Sequence, residues 1–234
     1  PARAAVAGGA SGAVGVAPLI ALVVFTHGRR ECLRRTIESA RFMLDGPIAY
    51  RIMVDDSCDP TFAAHLDATY PEFHRIHNAR REGFAGAIRV GWAAIPEPFE
   101  WVFHLEDDFT FERRVDLAAM IETLAADPKL VQLALKRQPW NEREKDRGSI
   151  YLPGFEQHEA PHPHVRHRSW WTTNPSLYHR RLTAGGWPQV DRSEGVFTHR
   201  LLADVDVRFG YWGRLDDGPW VTHIGDDRAG GKGY

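Results

Sequence analysis

The chain of 234 residues has only two cysteines, Cys32 and Cys58. That scarcity excludes a disulfide scaffold and a Cys-rich zinc module, and it reads most simply as a reduced, cytoplasmic protein. Charge of one sign is not in excess either. The 29 Lys+Arg and 31 Asp+Glu leave a formal net charge of -2, so no strong global field draws nucleic acid non-specifically. Long apolar runs are missing. The longest, Ala17 to Phe25, contains a proline and is too short to cross a bilayer. No internal repeat is visible. No early glycine-rich loop carries the lysine that would cradle a triphosphate, which counts against a nucleotidyltransferase. What is present is 43% hydrophobic and 26% charged residues, a globular balance with enough chain to bury a sizeable core.

Residues 1–17 are almost all Ala, Gly, Val and Pro and read as a mobile tail. The ordered part, 18–234, reads as a single domain. It opens on Leu19 to Thr26, a continuous apolar run that suits a strand buried on both faces. Glu31 to Leu44 spaces Leu33, Ile37, Ala40 and Leu44 as an amphipathic helix. Further strands are expected over Tyr50 to Val54, Arg75 to His77, Trp101 to Leu105 and Leu130 to Leu135. Helices are expected over Phe62 to Tyr70, Gly86 to Ile95 and Val115 to Ala126. This alternation predicts an α/β fold, a mostly parallel central sheet with helices on both faces. Residues 18–136 form its first half. Residues 137–234 form a mixed second half, after a break near Arg137 to Gly148 where seven of twelve residues are charged.

Ligands of an open α/β sheet bind outside the carboxyl ends of its strands. Three strands here end in polar groups: Thr26-His27, Asp55-Asp56 and Glu106-Asp107-Asp108. Carboxylates so placed can accept from a base or ribose and can hold a divalent cation through hard oxygen ligands. Each alone reads equally as a helix cap or turn former.

The set resembles family 2 glycosyltransferases of the GT-A fold. The carrying segments are Val23 to Arg29, Val54 to Asp59, Asn78 to Ala87, His104 to Asp108, Gly185 to Glu194 and Thr222 to Gly225. The resemblance implies a metal-dependent, inverting hexosyl- or pentosyltransferase using Mn2+ or Mg2+ and a UDP- or GDP-sugar. It implies donor contacts at Thr26, His27, Arg29, Asp55, Asp56, Asn78, Arg81, Gly83, Glu106 and Asp107. Glu106-Asp107-Asp108 matches the family's D-x-D motif with Glu in first place. Asp108 is then the direct metal ligand, and His223 matches a late histidine that supplies a further one. Glu194 falls where the family's catalytic base lies; read alone, it is a helix-start residue before Phe197 to Val205. A non-catalytic GT-A binding module is the alternative.

The acceptor stays open among a glycan, a lipid-linked intermediate, a protein side chain and a modified nucleic-acid base. Trp170 and Trp171 read either as an acceptor platform or as one core and one surface residue of a strand. His158, His162, His164 and His167 suit a flexible loop that changes charge near pH 6 better than a zinc site. Arg166, His167, Arg168, Arg180 and Arg181 read either as a basic patch or as scattered surface charges. Residues 225–234 read as a mobile segment or a frayed terminus.

Overall fold

A computed structural model describes residues 18–148, 150 and 154–225. The expectations for the tail 1–17 and for residues 226–234 lie outside the described residues. The first half runs β1 (Ile20–Thr26), α1 (Arg30–Met43), β2 (Leu44–Asp45), β3 (Ile48–Asp55), α2 (Pro60–Thr69), β4 (His74–His77), α3 (Gly83–Ala93), β5 (Trp101–Glu106), β6 (Phe109–Phe111), β7 (Val115–Asp116), α4 (Leu117–Ala126) and β8 (Leu130–Ala134). The second half adds α5 (Glu142–Arg147), β9 (Glu156–His158), β10 (His164–His167), β11 (Ser176–His179), a 3-10 turn (Arg180–Gly185), α6 (Ser193–Leu202), β12 (Arg208–Trp212) and β13 (Val221–His223).

Local chemistry explains several boundaries. Helix α2 starts at Pro60 because Asp59 accepts from the Thr61 N–H and proline needs no partner at the first helical position. Helix α4 starts at Leu117, two residues later than the pattern suggested, because Asp116 caps it by accepting from the Ala119 N–H. Val115 and Asp116 instead pair in parallel with β2. Helix α3 begins three residues earlier than expected, at Gly83.

The main sheet has nine strands in the order β4-β3-β1-β5-β11-β8-β12-β10-β9. Strands β4, β3, β1 and β5 are mutually parallel. Strand β11 is antiparallel to both β5 and β8. The second half therefore threads a strand into the first, and one sheet runs through both.

Strand β1 is buried along its whole length. Ile20, Leu22 and Val24 face a core built with Leu33, Ile37, Phe62, Leu66, Met120 and Leu124. Ala21, Val23 and Phe25 face a second core with Ile88, Trp92, Trp171, Tyr178, Trp187 and Phe197. Helix α3 lies so close to β1 that a Cβ on Gly91 would stand 2.7 Å from the Phe25 ring. Among the described residues, no helix is long and apolar enough to cross a membrane.

Candidate functional site

Register aligns the acidic strand ends. Thr26 lies opposite Asp55 on β3, and Phe25 lies opposite Glu106 on β5. The three turns that follow β1, β3 and β5 therefore open at one edge of the sheet.

The side chains there have separate tasks. Asp107 is 0% exposed, and accepts from the Thr26 hydroxyl at 2.7 Å and the His27 N–H at 3.2 Å. It also pairs with Arg29. Asp107, expected as a donor contact, is a buried anchor between the β1 and β5 turns. Asp56 accepts from Asn78 Nδ2, Glu82 N–H and Gly83 N–H, each at 2.8 Å. It thereby pins the 78–83 loop over the end of β3. Asp55 accepts from the Ser57 N–H at 2.9 Å and lies 3.1 Å from His77 Nδ1. His27 Nδ1 lies 3.0 Å from the Asp56 carbonyl.

Asp108 points the other way. Its Oδ2 takes Arg29 Nη1 at 2.6 Å and lies 3.2 Å from His223 Nε2. Its Oδ1 is buried without a hydrogen-bond partner. Burial pushes the Asp108 carboxyl up, but the His223 hydrogen bond and the Arg29 charge outweigh it and hold the carboxyl below its ordinary value. Strand β13 brings His223 here by pairing with β6, His223 opposite Phe109. The Gln138 amide clamps the His223 backbone, donating to its carbonyl and accepting from its N–H at 2.8 Å.

Glu194 sits in the first turn of α6, as a helix-start residue does, and also lines the cleft. One oxygen accepts from the Thr173 N–H at 2.8 Å and the Thr173 hydroxyl at 3.4 Å. Thr173 is held in turn, because Gln132 of β8 bonds both backbone groups of Thr172. Burial raises the Glu194 carboxyl above its usual value, against the opposing Thr173 backbone bond. Glu106 is raised well above its usual value, first by burial and then by the charge of Asp108, with Glu194 adding to it. Three acids therefore converge, and one of them is held ionised while two are pushed toward their neutral forms.

A cleft of about 1200 Å³ joins them. Of the sequence-predicted residues, Arg81, Gly83, Glu106, Asp108, Trp170, Glu194 and His223 line it. Thr26, His27, Arg29, Asp55, Asp56 and Asn78 stand outside its lining, in the turns just described. Of the two tryptophans expected at the acceptor, Trp171 is 1% exposed and packs on Tyr178 and Phe197, while Trp170 is 51% exposed. The tryptophan pair is thus split between core and surface.

Sequence reasoning missed Thr173 and the group Arg137, Trp140 and Glu144, all of which line the cleft. Arg137 stacks its guanidinium 3.3 Å from the Trp140 ring centre and pairs with Glu144 at 2.9 Å. A local signal for this group exists. Asn141 followed by Glu144 is a helix-start pattern, and Asn141 does cap α5.

Two other readings are resolved. The histidine-rich stretch contributes to strands β9 and β10 rather than a pH-sensitive loop, and burial lowers His167 to about 4. Among the described residues, no group of three His, Cys, Asp or Glu could hold a metal alone. The arginines of the supposed patch each have local partners: Arg166 pairs with Asp127, Arg168 donates to the Leu202 and Asp204 carbonyls at the end of α6 and just beyond it, and Arg180 and Arg181 donate to the Glu97 and Pro128 carbonyls.

No curated protein matches this chain. Among solved structures, the mannosyltransferase PcManGT from Pyrobaculum calidifontis, in complex with GDP-Man and Mn2+, superposes with a TM-score of 0.63 at 16% identity, covering 92% of this chain and 59% of that one. GalNAc-T7 with UDP, GalNAc and Mn2+ gives 0.60 at 12% identity, covering 90% and 44%. S. aureus TarS 1-349 gives 0.59 at 12% identity, covering 88% and 60%. The chain thus spans less than two thirds of each of these proteins, and the likeness is one of fold, the GT-A arrangement. The sequence pattern of glycosyl transferase family 2 matches residues 21–185, well over half of the chain, and the chain therefore belongs to that family.

Proposed function

We propose that this chain transfers a sugar from a nucleoside diphosphate sugar to an acceptor hydroxyl, with inversion at the anomeric carbon. The observation that carries this reading is the convergence, in one cleft, of Asp108 beside His223 and a carboxylate, Glu194, held by Thr173.

A divalent cation fits the Asp108 end. The buried, unpartnered Oδ1 is an oxygen ligand without a partner, and His223 Nε2 lies beside the other oxygen. Asp108 and His223 would hold Mn2+ or Mg2+, and donor phosphate oxygens and water would complete its shell. Such an ion supplies Lewis-acid neutralisation of the leaving diphosphate. PcManGT, solved with GDP-Man and Mn2+, and GalNAc-T7, solved with UDP, GalNAc and Mn2+, support this reading. Asp55, Asp56, Asn78, Arg81 and Gly83 form the base and ribose side, with Thr26, His27 and Arg29 shaping its floor. Glu106 stands between donor and acceptor ends.

Glu194 takes the acceptor proton. Its carboxylate removes hydrogen from the attacking hydroxyl while that oxygen bonds to the anomeric carbon. The bond from that carbon to the phosphate oxygen breaks, and its electron pair leaves with the diphosphate. A raised carboxyl is a better base than an ordinary one. Trp170 offers an exposed indole at the cleft for an acceptor sugar or base to stack on. Free Cys32 and Cys58 suit a reducing compartment, the cytoplasm.

Calorimetry with a panel of nucleoside diphosphates, with and without Mn2+, tests the donor site. The expected outcome is Mn2+-dependent binding of a uridine or guanosine diphosphate, reduced at least about 100-fold in Asp108→Asn, which removes the charged ligand. Binding without transfer or donor hydrolysis would assign the chain to the non-catalytic alternative.

A further inference from the structure

We propose that Arg29 is a tethered cation that occupies the Asp107–Asp108 site until the divalent ion and the donor diphosphate displace it together. This rests on the donor-site reading above. Arg29 stands at the N-cap of α1, and its guanidinium reaches the β5–β6 turn, 79 positions away. One nitrogen bonds Asp108 Oδ2 at 2.6 Å, and the other pairs with Asp107. The side chains of Asp107 and Asp108 are 0% and 4% exposed, and that of Arg29 17%.

The arrangement has a clear electrostatic logic. Two adjacent buried carboxylates repel one another, and Arg29 lies against both. The guanidinium neutralises the pair. A divalent ion needs the same Asp108 carboxylate, and two cations cannot share it cheaply. An ion entering at the free Oδ1 therefore repels the guanidinium held on Oδ2 and loosens it from Asp108. A diphosphate arriving with the ion gives the displaced guanidinium an anion that matches its planar fork. Ion and nucleotide then each raise the other's affinity, by the same factor. A guanidinium that only oriented Asp108 would produce the opposite sign, since its removal would weaken the ion site.

The test is a titration of Mn2+ into the full chain, with free Mn2+ followed by electron paramagnetic resonance. It is run on the native protein, Arg29→Gln and Arg29→Lys, first without nucleotide and then with saturating UDP or GDP. Arg29→Gln is expected to bind Mn2+ alone about tenfold more tightly than the native chain, and to lose the part of the nucleotide's enhancement that runs through the displaced guanidinium. Arg29→Lys, which keeps a point charge without the fork, is expected to lie between them. Mn2+ binding by folded Arg29→Gln that is no tighter than native overturns the proposal. If Arg29→Gln does not fold, Arg29→Lys decides: native-like Mn2+ affinity and native-like enhancement overturn it. Native protein that binds no Mn2+ with any nucleotide overturns the donor-site reading, and this proposal with it.

Discussion

Gly225 lies against Asp108, so close that a Cβ on the glycine would stand 2.3 Å from Asp108 Oδ2 and 2.9 Å from Arg29 Nη1. The Ile224 N–H, one residue earlier, donates to the Asp108 carbonyl at 2.7 Å. Gly225→Ala must therefore push the carboxylate or the guanidinium aside. Mn2+-dependent nucleotide binding is expected to fall at least about tenfold, comparable to disturbing a metal site's supporting contacts. The thermal midpoint is expected to change little, because the residue lies just past the end of a three-residue strand. Calorimetry beside a melting curve separates the two effects.

Glu194→Gln removes the proposed base and retains the shape. Transfer is expected to drop about 100- to 10,000-fold with donor binding intact. In the native chain the raised Glu194 carboxyl moves the acidic limb of the pH–rate profile above the usual carboxylate range, with activity rising as Glu194 ionises. The stability sign follows from the same shift. The folded chain holds this proton more tightly than the unfolded one, so the stability it contributes is full below the unfolded value and is lost as pH rises through the raised folded one. Glu194→Gln should match native stability near pH 4 and exceed it near pH 8. Melting curves across that range check this.

Thr173→Val leaves the backbone bond to Glu194 and removes the hydroxyl, which donates to Glu194 and also holds the Glu106 carboxyl down. Both acids are then pushed further toward their neutral forms. Each unit of rise in the base's pKa lowers its ionised fraction about tenfold on the acidic limb. The expected result is a transfer profile displaced to higher pH, with most of the native rate recovered on the alkaline side.

The two tryptophans predict opposite phenotypes. Trp171→Ala empties a buried site among Tyr178, Phe197 and Phe209 and is expected to cost about 3–5 kcal/mol of stability. Trp170→Ala touches a residue that is 51% exposed, and its stability is expected to stay within about 0.5 kcal/mol of native. Its effect should fall on the acceptor KM, with donor affinity unchanged. Denaturant melts and acceptor-dependence kinetics distinguish the pair.

Much of the architecture was legible because its signals are local. Strand β1 reads as an apolar run because both of its faces are covered. Helix α1 shows its buried stripe at Leu33, Ile37 and Ala40. The strand-end acids were legible as well, since turns after parallel strands open at one sheet edge. Strand β11 was not. Its four residues carry no periodic mark, and its place is decided by pairing with Phe103 and Leu133, distant in sequence on either side.

The alternating fold and the acidic turns were legible in the sequence by itself, because periodicity and spacing are written within a few residues, and the family was legible there as a resemblance carried by segments spread along the chain. Tertiary structure alone decided that neighbouring Asp107 and Asp108 do opposite jobs, one buried under Thr26 and the other facing the cleft with His223. It likewise decided that Thr173 serves Glu194 and that Arg29 reaches Asp108. Those partners lie 21 and 79 positions apart. Only packing the two halves onto one sheet brings them within hydrogen-bond range, and burial there, set against the Arg29 and His223 contacts, decides which carboxyl is raised and which is lowered.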